Sequence, residues 1–247
     1  MKDRVRKPFY KCEKNIDTAY PESEAIIYDQ KRFLDPKGTL FNKLELQQLE
    51  RVLRVFSTNQ RMLEVGCGTG RFMLRCLKKG HEVHGLDPSP TMLVLCRQKN
   101  TMFEKAYYHL GEGANLPFKN NEFDFVYSIR TLNQVSSKSY AFDMIREMIR
   151  VAYNDGIILL EFVNKRSLAL RRKRAVRLSI NNIKSILKEY KGYLEISKIA
   201  GILFFSQTLM NFMPISLLGI FEKIDTFFAK VLPMFSTRCY VTLKKKK

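Results

Sequence analysis

The chain has 247 residues, 45% of them hydrophobic, a length and composition that suit one α/β domain with insertions and exclude global disorder. Its net charge of +19 is unevenly spread: residues 165–247 hold 18 Lys and Arg against 4 Asp and Glu, a net of +14. That asymmetry points to an anionic partner surface, phospholipid or nucleic acid, against the plainer reading of a solvated basic face. Met1 to Lys14 is charged and lacks the apolar stretch of a secretory signal. Five scattered cysteines (Cys12, Cys67, Cys76, Cys96 and Cys239) give no CxxC pair and no zinc pattern. Reduced thiols, no metal and a cytoplasmic location are the expectation.

Taken in chain order, residues 1–38 read as an N-terminal arm with a short helix near Glu22 to Phe33. Apolar residues at Leu40, Leu44, Leu49, Leu53 and Phe56 predict an amphipathic helix. The period then changes. Arg61 to Val65 predicts a strand, Arg71 to Lys79 a helix closed by Gly80, Glu82 to Leu86 a strand, and Pro90 to Lys99 a helix. Lys105 to Leu110 and Phe123 to Ile129 predict strands, and Ser139 to Ala152 a helix. After a turn at Asn154-Asp155-Gly156, Ile157 to Phe162 predicts a fifth strand. Alternating strands and helices argue for a doubly wound, mainly parallel sheet with helices on both faces.

Residues 39–164 thus form the core, and residues 165–247 a basic part that completes the sheet. There, Ser179 caps a helix from Ile180 to Tyr190. Tyr193 to Phe205 predicts strand six and Thr237 to Leu243 strand seven. Between them a helical insertion at about 207–235 contains a helix from Pro214 to Leu232. Ile199 to Phe221 carries no formal charge, but its Ser, Gln, Thr, Asn and Pro residues make a membrane span the weaker reading. Leu217, Leu218, Ile220, Phe221, Ile224, Phe227, Phe228 and Val231, with basic runs at Arg171 to Arg177 and Lys244 to Lys247, suggest peripheral contact with an anionic membrane surface. The competing reading is a lid helix buried on the domain. The terminal lysines are expected as a disordered tail.

The chemistry concentrates after the first strand. Gly66-Cys67-Gly68-Thr69-Gly70 has the form GxGxG, at the edge where open α/β sheets bind ligands. Asp87 follows Gly70 by 17 residues, at the end of strand two, where an acid accepts hydrogen bonds from ribose hydroxyls. Dinucleotide sites favour GxGxxG; here the third glycine falls one residue early, and Glu64 would repel a pyrophosphate while tolerating an ammonium. Both features favour S-adenosylmethionine. His81, His84 and His109 lie away from the carboxyl edge and read as structural.

With these motifs in order, the sequence resembles the class I S-adenosylmethionine-dependent methyltransferases, in particular the small-molecule "type 11" group, over about Gln60 to Asn164. LEVGCGTG resembles the first motif, and HGLDPSPTML, with Asp87 and Met92, the second. Gly111 to Val135 resembles the third and fourth motifs. The resemblance implies a Rossmann-like seven-stranded fold and in-line methyl transfer to a small molecule; the apolar insertion and basic runs of the last third would fit an acceptor that is hydrophobic or lipid-like. It further implies that Glu64, Gly66, Cys67, Gly68 and Gly70 line the methionyl and ribose end and that Asp87 holds the ribose. Glu112, with the backbone of Gly113 and Ala114, would face the adenine, and Ser128, Ile129 and Arg130 would sit beside the sulfonium. Tyr28, on an arm that in this family often folds over the cofactor, is the candidate catalytic residue.

There are departures from the pattern. Glu112 stands where Asp is common, and Asn133-Gln134 where a histidine pair is common. SIRTLN replaces the Asn-Pro-Pro-Tyr-like run of base-amino methylases, which argues against DNA adenine methylation. RNA methylation and a non-catalytic cofactor- or partner-binding module are the alternatives; no RNA-binding signature accompanies the basic third.

Overall fold

The computed structural model describes residue 25 and residues 27–167, 175–190, 192–205 and 207–246. The arm's described helix is α1 (Tyr28–Phe33), shorter than expected from sequence; residues 1–24 lie outside the described residues. α2 (Pro36–Leu53) starts four residues before the apolar period does. Asp35 caps it by accepting from the Gly38 amide, and Pro36 supplies a preset φ at the first turn. A domain boundary after Gly38 would therefore cut this helix's first turn.

β1 (Arg61–Val65), α3 (Arg71–Leu77), β2 (Glu82–Asp87), α4 (Pro90–Lys99), β3 (Ala106–Leu110), β4 (Phe123–Ser128) and α5 (Lys138–Val151) fall within a residue or two of their predicted limits. Their ends are set locally: Ser89 accepts from the Met92 amide and Ser137 from the Tyr140 amide. β5 runs from Ala152 to Val163, longer than predicted. The expected turn at Asn154-Asp155-Gly156 is a bulge inside it: pairing jumps from Phe123↔Ala152 to Phe125↔Ile157, and Asp155 adopts φ +69°.

α6 (Ile180–Leu187) carries the predicted Ser179 cap, closed reciprocally by Asn182, and continues as a 3-10 turn to Tyr190. β6 (Leu194–Ile202), α7 (Gln207–Phe212), α8 (Leu218–Val231) and β7 (Arg238–Lys245) complete the chain, so the predicted insertion lies between the last two strands. The lysine tail expected at the C-terminus is corrected. Lys244 and Lys245 are in β7, the Lys245 ammonium donates to the carbonyls of Ile149 and Ala152, and Lys246 pairs with Glu195.

The seven strands are ordered β3-β2-β1-β4-β5-β7-β6. All pairs are parallel except those of β7, which is antiparallel to both β5 and β6. α2, α3, α4 and the insertion cover one face, with Leu44, Leu49, Phe72, Met73, Cys96 and Phe221 in its core. α5 and α6 cover the other, burying Met144, Ile145, Met148, Ile183 and Ile186. Each large apolar side chain so buried contributes about 1.5–3 kcal/mol. The order of strand addition reverses between β1 and β4, which are themselves parallel, and the carboxyl ends of these two strands open the crevice where α/β sheets bind ligands.

Candidate functional site

The glycine loop joins β1 to α3 at this crevice. Gly66 and Gly68 both have positive φ, +80° and +52°. They differ in surroundings. A Cβ on Gly66 would meet the Thr131 side chain at 2.3 Å, whereas one on Gly68 would meet no protein atom within 4 Å. Gly66 thus lets the loop after β4 close on the loop after β1, where the Thr131 hydroxyl donates to the Gly66 carbonyl at 3.2 Å. Gly68 borders open space.

Asp87 ends β2 beside it. One carboxylate oxygen accepts from the Gly68 amide at 2.8 Å, and the other from the Ser89 amide at 2.9 Å. Burial raises its pKa, against the lowering pull of those two amides. The carboxylate is thereby fixed in position, with a lone pair on each oxygen still available.

Glu112, Gly113 and Ala114 follow β3. Glu112 accepts a hydrogen bond from Tyr140 of α5, whose hydroxyl is pushed up by burial and then by that carboxylate. Gly113 is buried against Met144 and Val65, while Glu112 and Ala114 are half-buried. Ser128, Ile129 and Arg130 lie at the end of β4. The Ser128 hydroxyl and the Arg130 Nε are buried without a hydrogen-bond partner among the described residues, as are the Asn133 side-chain oxygen and the Tyr240 hydroxyl. Ile129 packs into the core.

Several further predicted residues sit elsewhere than at an open surface. Glu64 is 1% exposed on the α3 face of β1 and accepts from the Tyr127 hydroxyl at 3.2 Å. Burial raises its pKa well above the usual carboxylate range. β1 alternation sends the side chain beneath the loop rather than to its open side. Cys67 and Met92 are also buried, so the loop's open side is backbone, and Gly70 lies tight against Cys96 and Asn100.

The arm reaches the site by a polar tether absent from the sequence reading. Thr69 in the loop donates to Asp29 of α1 at 2.9 Å, and Lys99 of α4 donates to both Asp29 and Thr69. Tyr28, next to Asp29, is half-buried, with the Arg32 guanidinium 4.5 Å from its ring centroid.

A second missed feature is a buried ionic cluster. Glu45 of α2, fully buried, accepts from Arg71 at 2.6 Å and from Arg130 at 3.3 Å. Glu161 of β5, also fully buried, accepts from the Arg130 amide and from Arg238 of β7. Burial would raise the Glu45 pKa, but Arg130, Arg71 and Arg238 together hold it below its ordinary value. Phe33 and Phe41 cover the guanidinium faces, with Arg71 4.2 Å from the Phe33 centroid and Arg130 4.9 Å from that of Phe41. Sequence spacing carried no signal for this cluster, because its members come from five separate segments. The three histidines lie apart from the crevice: His84 bonds His109 at 2.9 Å and Glu82 at 2.9 Å within the β2–β3 edge. No three His, Cys, Asp or Glu side chains gather as a metal site among the described residues.

The comparisons with known proteins agree with this geometry. A family profile described as a methyltransferase domain matches residues 63–160. Norajmaline N-methyltransferase from Rauvolfia serpentina is 34% identical over 110 residues, covering 42% of this chain and 36% of that protein. Malonyl-[acyl-carrier protein] O-methyltransferase from Serratia marcescens is 30% identical over 112 residues, 44% of this chain and 42% of that protein. The matches thus span well under half the length of these relatives. Among solved structures, an N-methyltransferase, NodS, from Bradyrhizobium japonicum superposes with a TM-score of 0.66 at 16% identity, covering 93% of this chain and 99% of that one. Magnesium protoporphyrin IX methyltransferase from Synechocystis, solved with bound S-adenosylmethionine, gives 0.65 at 15% identity, with 96% and 100% covered. The [4+2]-cyclase SpnF gives 0.60 at 18% identity, with 81% and 80% covered, so this fold also serves other chemistry.

Proposed function

We propose that this chain, whose residues 63–160 match a methyltransferase-domain profile, is a class I methyltransferase that binds S-adenosylmethionine and methylates a small-molecule acceptor. The observation that carries the reading is the pairing of Gly68 with Asp87: an open backbone cradle beside a fixed carboxylate at the end of β2.

The residues fit that cofactor better than a dinucleotide. At the start of α3, where a pyrophosphate would seek cationic or amide partners, the Arg71 guanidinium is already engaged by Glu45 and Asn42. Asp87 would accept from the ribose hydroxyls, Glu112 with the Gly113–Ala114 backbone would border the adenine, and Gly68 would lie against the methionyl end. Ser128 and Arg130, with buried polar atoms still unpaired, would border the sulfonium side.

When bound, S-adenosylmethionine would supply an electrophilic methyl group on a sulfonium whose departure as a neutral thioether balances the new bond to the acceptor. The chain's part is therefore chiefly alignment and exclusion of water, worth up to ~7–11 kcal/mol in favourable cases. Asp29 ties α1 to the glycine loop, which supports a role for α1 as a cover over the crevice with Tyr28 beside it. Tyr28 is assigned the acceptor side, where its hydroxyl would orient the nucleophile or take its proton. The insertion walls the same edge, since Asn164 at the end of β5 donates to the carbonyls of Met234 and Ser236.

Ligand-induced stabilisation tests the cofactor assignment. S-adenosylmethionine at about 100 times its Kd should stabilise the chain by about 2.7 kcal/mol, read as a raised Tm. Asp87→Ala should remove most of that increment while leaving the apo Tm within a few degrees. An unmoved wild-type Tm would sink the reading.

A further inference from the structure

α8 is amphipathic in an unusual sense, because both its faces are apolar. Leu218, Phe221 and Ala229 are buried, while Ile220, Ile224, Phe227 and Val231 are 59%, 46%, 61% and 59% exposed. At 100° per residue the second set spans only about 60° of the helix, a straight stripe along its 14 residues. Exposed Phe212, Ile215 and Leu217 extend it before the helix, and Leu232, Met234 and Phe235 after it. A contiguous patch of this kind on a soluble surface marks an interaction site.

The charges around the stripe choose the partner. Lys223 and Lys230 are exposed along one flank. The acids of the helix point elsewhere: Glu222 pairs with Lys43 at 2.7 Å, and Asp225 is buried, accepting from the Phe205 amide at 3.0 Å. The rim is therefore cationic on a chain of net charge +19, which disfavours a second copy and complements an anionic surface. An apolar stripe with lysines that can extend past it is the arrangement of a helix lying in a membrane interface. No described helix is long and apolar enough to cross a membrane.

We propose that α8 and its flanking turns dock this protein on an anionic phospholipid bilayer. The stripe inserts at the headgroup–acyl boundary, and Lys223 and Lys230 meet the lipid phosphates. The insertion leaves the sheet at the end of β6 and returns at the start of β7, so docking brings the carboxyl edge and its crevice beside the bilayer.

Flotation of the full chain with phosphatidylcholine vesicles, with and without phosphatidylglycerol, tests this. The chain should float with the anionic vesicles and lose binding as salt rises. Ile224→Ser with Phe227→Ser should weaken binding by about ten-fold or more. Lys223→Gln and Lys230→Gln should each weaken it by about five-fold at low salt. Val55→Ser, an exposed apolar residue beyond the end of α2, should change nothing. An unaltered urea-unfolding midpoint checks that each variant remains folded. Equal flotation of the wild type and the Ile224/Phe227 variant overturns the proposal, as does equal binding to neutral vesicles. So does a dimer in light scattering that the same double substitution converts to monomer, since a second copy would then own the stripe.

Discussion

The crevice between β1 and β4 and the insertion between β6 and β7 lie on one edge of the same sheet, yet they are held in opposite ways. The crevice is wrapped in fixed polar contacts: Asp87 on two amides, Thr69 and Lys99 on Asp29, Arg130 between Glu45 and Glu161. The insertion is tied by Asn164 and Asp225 at its ends, but packs along its length through Phe204, Phe205, Phe221 and Phe228 and leaves its outer stripe bare. Polar contacts fix positions to a few tenths of an ångström, as a reacting centre needs, whereas an apolar stripe needs only area and suits a fluid partner.

The largest effect is expected at Glu45 on the crevice side, whose carboxylate pairs with Arg71 and Arg130 and is held down further by the charge of Arg238 in β7. Glu45→Gln leaves the buried Arg238 and the half-buried Arg71 and Arg130 with Glu161 as the remaining acid of the cluster. Unfolding in urea should show a loss of about 3–5 kcal/mol. A loss below about 1 kcal/mol would mean that the cluster is not what ties α2 to the sheet.

A smaller effect separates the two glycines. Gly66→Ala forces a Cβ into Thr131, and its backbone sits in the left-handed region, so the apo protein should lose more than the ~1–2 kcal/mol of backbone strain. Gly68→Ala carries only that strain but fills the open cradle. Calorimetry should find cofactor affinity reduced at least about ten-fold relative to wild type while the fold persists. Equal affinity in Gly68→Ala would place the ligand elsewhere.

The smallest expected effect is a pH dependence at the β2–β3 edge. Burial holds the His84 and His109 imidazoles below their ordinary value, against the raising influence of Glu82 on His84. The unfolded chain binds protons on them below about pH 6.5, and the folded chain resists. Their stabilisation is therefore full above that pH and is lost as pH falls through the lowered folded values. Urea midpoints of wild type and His84→Gln should converge on acidification. Parallel curves would show that these rings contribute nothing to the dependence.

The sequence by itself determined the elements from β1 to α5, because their limits are written locally: Ser89 and Ser137 caps, Pro90 at a first turn, and periods of 2 and 3.6. It determined the glycine loop and Asp87 for the same reason, since a strand, a turn and an acid at a strand end are short-range facts. It also placed the insertion within a few residues. Only the tertiary structure decided the rest. β7, expected as the last strand, enters between β5 and β6 because antiparallel pairing satisfies both its edges, and that pairing carries the strand on through Lys244 and Lys245. Glu64 went beneath the loop by strand alternation, and the Asp29–Thr69–Lys99 tether and the Glu45 cluster assembled from segments too distant for any spacing to reveal. Finally, the apolar residues of 217–231 looked alike in sequence; packing buried Leu218 and Phe221 and left Ile220, Ile224, Phe227 and Val231 facing outward, because a helix on a sheet edge has one side to bury.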